Sequence, residues 1–208
     1  MKNVTDRTSN PFGMRPDCER FVPGYGDANA DFHVVGDSPA IHGGADVGVP
    51  FTNDAGRRLQ DALATAGLLR EEGTRPVVKR TFLSYLDMCV RARPTTEAEY
   101  AEMEPFFDAE LRAIAAHVLL PVGRRATTHV LETYTARDVE ASPEMETMHG
   151  TEVLGSGWLV VPVRDPGEWD DTHARRLIDA LDELRSTDYR READLGRFLG
   201  GDGSYYVR

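Results

Sequence analysis

At 208 residues, with 40% hydrophobic and 28% charged residues, the chain has the length and apolar content to close the core of one α/β domain. No apolar run approaches the ~20 residues that span a bilayer, and the opening MKNVTDRTSNPFG lacks the apolar centre of a secretory signal, so a cytoplasmic protein without a membrane partner is expected. The formal net charge of −11, from 35 acidic and 24 basic residues, would ordinarily weigh against a nucleic-acid partner.

Residues 1–27 read as an irregular segment, broken by Pro11, Pro16, Pro23, Gly13, Gly24 and Gly26 and pinned by Phe12, Phe21 and Val22. An apolar run at Asp31–Val35 predicts the first strand. Gly36-Asp37-Ser38-Pro39 ends it, and Gly43, Gly44, Gly48 and Pro50 hold the loop that follows. Asn53 or Asp54 caps a helix over about Ala55–Leu68. Arg80–Met88 is the next strand. Thr96-Glu97-Ala98-Glu99 has the form of a capping box, opening a helix to about Ala116 with Tyr100, Met103, Phe106, Phe107, Leu111 and Ile114 as its apolar stripe. His117–Val122 suits a central parallel strand, and Gly123 turns it into a helix ending near Tyr134. Asp138–Met148 is a polar excursion, Gly157–Val163 the fourth strand, and Thr172–Leu184 the last helix, followed by a tail over 186–208 bearing Tyr189, Phe198, Tyr205 and Tyr206. This alternation predicts a single domain over 1–208: a three-layer αβα fold with a four-stranded, mainly parallel sheet and right-handed crossovers.

In such sheets the ligand site lies beyond the carboxyl ends of the strands. Those ends carry Gly36-Asp37-Ser38-Pro39, Arg91 to Arg93, Gly123-Arg124-Arg125 and Arg164-Asp165-Pro166. Arg91, Arg93, Arg124, Arg125 and Arg164 could therefore form a basic rim suited to phosphates, or simply face solvent. Lys2 and Lys79 are the only lysines, and this acid-rich, arginine-dominated usage resembles that of a salt-loving, high-GC prokaryote. At molar salt the Debye length is ~3 Å, so local contacts rather than net charge decide binding. Phe51 stands among polar residues where no core requirement calls for an aromatic.

Other site types are absent. The chain has no P-loop and no G-x-G-x-x-G after the first strand, and GDSPA is not a G-x-S-x-G elbow around Ser38. His33, His42, His117, His129, His149 and His173 have no metal-ligand spacing, so no metal is expected; His42, in the glycine loop, is the one most open to another role. The 2 cysteines, Cys18 and Cys89, are too few for a disulfide framework and read as buried free thiols.

GDSPA at Gly36–Ala40 followed by GVPFTNDAGRRL at Gly48–Leu59 resembles the first motif region of the uracil-DNA glycosylase superfamily, in particular its thermostable, iron–sulfur-containing branch. The resemblance continues through GYGDANADF at Gly24–Phe32 and HVLLPVGRRAT at His117–Thr127, and so covers most of the chain in order. It implies a cleft that receives a base flipped out of DNA, since the glycosidic bond is out of reach inside the stack. By resemblance Asp37 is the acid that activates the water attacking C1′ or stabilises the charge forming on the sugar. Phe51 is by the same resemblance the aromatic that stacks on the base, and Gly36, Ser38, Pro39 and Asp165 line the base site. The implied partner is DNA with a damaged or deaminated base, bound by a monomer.

Three departures from the family pattern stand out. The second motif, HPS in that branch, reads Arg164-Asp165-Pro166-Gly167, replacing an imidazole donor by a carboxylate. Ser84–Cys89 holds no counterpart of the base-reading asparagine. Cys89 fits a cluster ligand, but two thiolates cannot hold a four-cysteine cluster, so no iron–sulfur cofactor is expected. The sequence thus admits a glycosylase acting on an altered base or a homologue that binds DNA or protein without excision. A small-molecule enzyme using Ser38 or Asp37 is the third reading.

Overall fold

The computed structural model describes residues 4–135, 144–155 and 157–186. Most of the Asp138–Met148 excursion, and the tail beyond Ser186 with its aromatic residues, lie outside them. The elements in chain order are β1 (Tyr25–Gly26), β2 (Phe32–Gly36), α1 (Pro39–His42), α2 (Asp54–Thr65), β3 (Leu69–Glu71), β4 (Val77–Val78) and β5 (Thr81–Tyr85). There follow α3 (Glu97–Ile114), β6 (Val118–Pro121), α4 (Gly123–Tyr134), α5 (Met145–Met148), β7 (Val153–Leu154), β8 (Leu159–Val160) and α6 (Asp171–Ser186).

The main sheet has six strands in the order β1-β5-β2-β6-β8-β7 rather than the four expected. Its centre does follow expectation: β5, β2, β6 and β8 pair in parallel. Two-residue strands close both edges in antiparallel sense, β1 on β5 and β7 on β8. Such short edges offer little template for pairing with another chain. β1 also gives order to part of the N-terminal segment expected to be irregular, and β3 and β4 form a separate hairpin. Among the described residues no helix is long and apolar enough to cross a membrane.

Alternation along the central strands builds the three layers. Val34, Leu83, Tyr85, Val118 and Leu120 face one core with Leu59 and Leu63 of α2 and Leu177 and Leu181 of α6. Val35 and Leu119 face the other with Phe107 and Leu111 of α3 and Val130 and Leu131 of α4. The helix starts match the sequence signals. The Asn53 side chain accepts from the Gly56 amide at 2.8 Å. In the Thr96 capping box, Glu99 Oε2 accepts the Thr96 amide at 2.9 Å.

The cysteines are not free thiols. Cys18 and Cys89 form a disulfide across 71 residues, tying the N-terminal segment to the loop after β5, where Phe21 also bridges to Cys89.

One polar group lies in the α3-side layer without serving the strand ends. Glu110 is fully buried beside Gly24, where even a methyl group would meet its Oε1 at 2.2 Å. Burial pushes its carboxyl up to about 8, with the Ser84 hydroxyl pulling the other way. Ser84 Oγ in turn contacts His33 Nε2 at 2.7 Å, and burial drives His33 down to about 3. Because the folded Glu110 pKa is raised, its neutral form fits the fold. Stability is unpenalised below the unfolded value of 4.5 and is lost progressively as pH climbs to about 8. Glu110→Gln should remove that loss, so the urea midpoint of the variant should gain on wild type steadily from pH 5 to pH 8. A constant difference over that range would mean that Glu110 ionises in the fold as readily as in the unfolded chain.

Candidate active site

The carboxyl ends of all four parallel strands meet at one depression of about 670 Å³. Asp37, Ile41 and His42 come from the β2 end, Leu86 from the β5 end, Val122 to Arg125 from the β6 end, and Asp165 from the segment after β8. The first half of α3 supplies Glu97, Tyr100 and Glu104. A second depression of about 610 Å³ adjoins it, sharing Asp37, Ile41, Tyr100 and Arg125 and adding Ser38, Arg91 and Arg93. The strand-end placement read from the sequence thus gathers Asp37, Ser38 and Asp165 at one edge.

Asp37 sits where both depressions meet, 8% exposed. Its backbone carbonyl accepts the Asp87 amide at 3.0 Å, which continues the β2–β5 pairing by one residue and fixes where the side chain emerges. The Tyr100 hydroxyl donates to Asp37 Oδ1. Burial raises the Asp37 pKa, while Tyr100, His42 and Arg125 pull it back. Arg125 lies over the Tyr100 ring at 4.3 Å and is held there by Glu97 at 2.5 Å. The carboxylate is thus oriented on one oxygen and poised above the ordinary acid range, as suits a general base.

Gly36 is small because the ring beside it is close: an added Cβ would meet Phe51 Cζ at 2.7 Å and Tyr85 at 2.8 Å. Pro39 occupies the first turn of α1. Ser38 precedes it in extended conformation, its carbonyl accepting the Ile41 and His42 amides at 3.1 Å. Its hydroxyl makes no cap bond.

Phe51 departs from its expected place. It is 1% exposed and lines neither depression. Its φ of 59° is an uncommon, strained value for a bulky residue. Three contacts hold it there. The Phe51 amide donates to Tyr85 Oη at 2.6 Å, Gln60 Nε2 donates to its carbonyl at 2.7 Å, and Gly56 leaves room that a Cβ would fill at 2.3 Å. Tyr85 donates onward to the Gly43 carbonyl at 2.9 Å. The turn directs the ring inward against Tyr85 at 5.2 Å and His42 at 5.4 Å. Of these rings it is His42, and not Phe51, that lines the larger depression.

His42 Nε2 lies 3.6 Å from Asp165 Oδ2, an ion-pair separation rather than a hydrogen bond. His42 beside Asp165 holds that carboxyl below the usual range. Asp165 is itself fixed, with Oδ1 accepting the Gly167 amide at 2.8 Å. The preceding residue is pinned by His149, whose Nδ1 accepts the Arg164 amide at 2.9 Å while Nε2 donates to the His173 carbonyl at 2.8 Å. Trp169 Nε1 donates to the Arg164 carbonyl at 2.9 Å.

The basic rim is a paired one. Arg91 bonds Asp87 and Glu99 at 2.8 and 2.7 Å, Arg93 bonds Glu99 at 2.8 Å, and Arg125 bonds Glu97. Arg164 pairs with Glu146 and with Glu168 at 3.2 Å and lines neither depression. Arg124 lines the larger one. Phosphate binding here would exchange carboxylate partners for phosphate rather than fill bare cations.

The sequence matches the profile of the Uracil DNA glycosylase superfamily over residues 23–177, which runs from before β1 into α6. The chain belongs to the uracil-DNA glycosylase superfamily. It is 29% identical over 187 residues to a type-5 uracil-DNA glycosylase of Pyrobaculum aerophilum, covering 85% of this chain and 77% of that protein. It is 31% identical over 114 residues to a type-5 uracil-DNA glycosylase of Mycobacterium leprae, covering 51% of this chain and 50% of that one.

Within this superfamily member, Tyr100, Tyr85, Glu97 and Asp87 were not legible as site residues. Tyr100 and Tyr85 sit in apolar runs and read as core. Glu97 read as part of a helix start. Asp87, fully buried, accepts from the Cys89 amide, Arg91 and Thr95 at 2.9, 2.8 and 2.7 Å and so organises the loop after β5, a role without local signature.

Proposed function

We propose that the protein is a uracil-DNA glycosylase that hydrolyses the N-glycosidic bond of a flipped-out, deaminated base. The observation that carries this reading is the placement of Asp37: a largely buried carboxylate, oriented by Tyr100, where two adjoining depressions meet at the strand ends of a superfamily fold. Membership of the superfamily and the names of its relatives support DNA as substrate. In this reading Asp37 takes a proton from the water attacking C1′, and its charge offsets the positive charge forming on the sugar. Gly36, Ser38 and Pro39 hold the strand-to-α1 turn that presents it, and Arg91, Arg93, Arg124 and Arg125 meet the backbone phosphates. Phe51 acts by backing the His42 ring rather than by touching the base.

A second reading, a homologue that binds DNA without excising a base, draws on the acidic lining contributed by Glu97, Glu104, Glu132 and Asp165 and on the pre-paired arginines. Incubation at high salt with duplexes containing uracil, hypoxanthine or xanthine, followed by alkaline cleavage of abasic sites, separates the two. Strand scission supports excision, and a salt-dependent mobility shift without scission supports the second reading.

Tyr100→Phe offers a finer check. The lost hydroxyl stabilises ionised Asp37, so its removal raises the Asp37 pKa further. The acid limb of the kcat/KM profile should therefore move to higher pH in the variant. An unmoved limb would mean that Asp37 is not the titrating base.

A further inference from the structure

Among the described residues two histidines of the depression have buried ring nitrogens without a partner: His129 at Nε2, out on α4, and His42 at both nitrogens, beside Asp165. His42 is 0% exposed, yet neither ring nitrogen has a hydrogen-bond partner. Buried polar groups are as a rule satisfied, so an unsatisfied one lining a cavity calls for a ligand. Its position is well defined. The imidazole is tilted 35° to Phe51 at 5.4 Å and nearly parallel to Tyr85 at 6.3 Å, and these two rings, 5.2 Å apart, back it from one side while the residue lines the depression. Asp165 lies on the Nε2 side of the ring. An ionised carboxylate there favours the tautomer with the proton on Nε2, which leaves Nδ1 as a hydrogen-bond acceptor.

The geometry points to His42, oriented by Asp165, as the group that recognises the bound base, with Nδ1 accepting a ring N–H. This rests on the glycosylase reading and names the substrate class within it. Uracil carries N–H at ring position 3 where cytosine carries a lone pair; hypoxanthine and adenine differ in the same way at position 1. An acceptor facing that position binds the deaminated base and repels its parent, because two lone pairs would be left facing each other without a proton. Asp165 is a positioning residue in this scheme, acting through the imidazole.

The test uses the full chain and duplexes in which the target nucleotide is 2′-fluorinated, since the fluorine disfavours positive charge at C1′ and keeps the base attached. Three probes are compared: 2′-fluorodeoxyuridine, its N3-methyl derivative, and a tetrahydrofuran abasic analogue. Wild type should bind the uracil probe about tenfold more tightly than the N3-methyl probe, the value of one hydrogen bond in a buried site. His42→Leu should bind the two alike while keeping wild-type affinity for the abasic probe. His42→Asn, whose Oδ1 can take the place of Nδ1, should restore part of the preference. Asp165→Asn keeps an acceptor for the Gly167 amide, and its side chain is 32% exposed, so it should fold normally and still lose most of the preference. Undiminished preference in His42→Leu and Asp165→Asn, or an equal loss on all three probes, would overturn the assignment. The two levels remain distinguishable. Wild type that neither excises uracil nor prefers it over the abasic probe fails the glycosylase reading, and His42 with it. Active wild type with insensitive variants fails His42 alone.

Discussion

Asp37→Asn is expected to lower the single-turnover rate of uracil release by about 10²–10⁴, the range for removing a positioned general base. Asparagine has nearly the same shape, and its Oδ1 can still accept from the Tyr100 hydroxyl, so the surrounding Tyr100–Arg125–Glu97 array should persist. What is lost is the capacity to take a proton and the negative charge beneath the developing cation. Affinity for the uracil probe should change little, because base recognition lies with other groups. A rate within a few-fold of wild type would refute the role given to Asp37.

Phe51→Ala is expected to destabilise the fold by about 3–5 kcal/mol, the usual cost of deleting a buried phenylalanine ring. A residue that merely stacked on a ligand would be exposed without it, and its truncation would cost little stability. Phe51 is 1% exposed, and its ring packs against Tyr85 and His42. Alanine would keep the strained backbone and forgo the packing that holds it in place. Chemical denaturation measures the effect directly, with a lowered midpoint at constant m. A midpoint equal to wild type would return Phe51 to the role of an open stacking platform. Where the variant is still folded, base discrimination should also fall, because His42 loses the ring behind it.

The contrast between these two residues marks what the sequence could convey. Asp37 follows an apolar strand and precedes a helix-starting proline, and strand, turn and helix are written locally, so its place at the strand end could be read. The capping residues Asn53 and Thr96 were legible for the same reason. The inward turn of Phe51 was not legible. It depends on Tyr85, 34 residues away, and on a positive φ that no phenylalanine announces. The Asp37–Tyr100 bond spans 63 residues and the Cys18–Cys89 bridge 71, and periodicity carries no information at that range. The strands missed, β1, β7 and the β3–β4 hairpin, have two or three residues each and exist because a neighbour pairs with them. The arginines lie near strand ends as expected, but the carboxylates that pair with them include Glu97 and Glu99 of α3 and Glu146 of α5, beside the local partners Asp87 and Glu168.

The central claim is that this fold holds a working excision site around Asp37. Its most direct test is mass-spectrometric detection of free uracil after incubating excess protein at high salt with a uracil-containing duplex. Wild type should release uracil stoichiometrically and Asp37→Asn none on the same timescale. Intact DNA after prolonged incubation with folded wild type would contradict it.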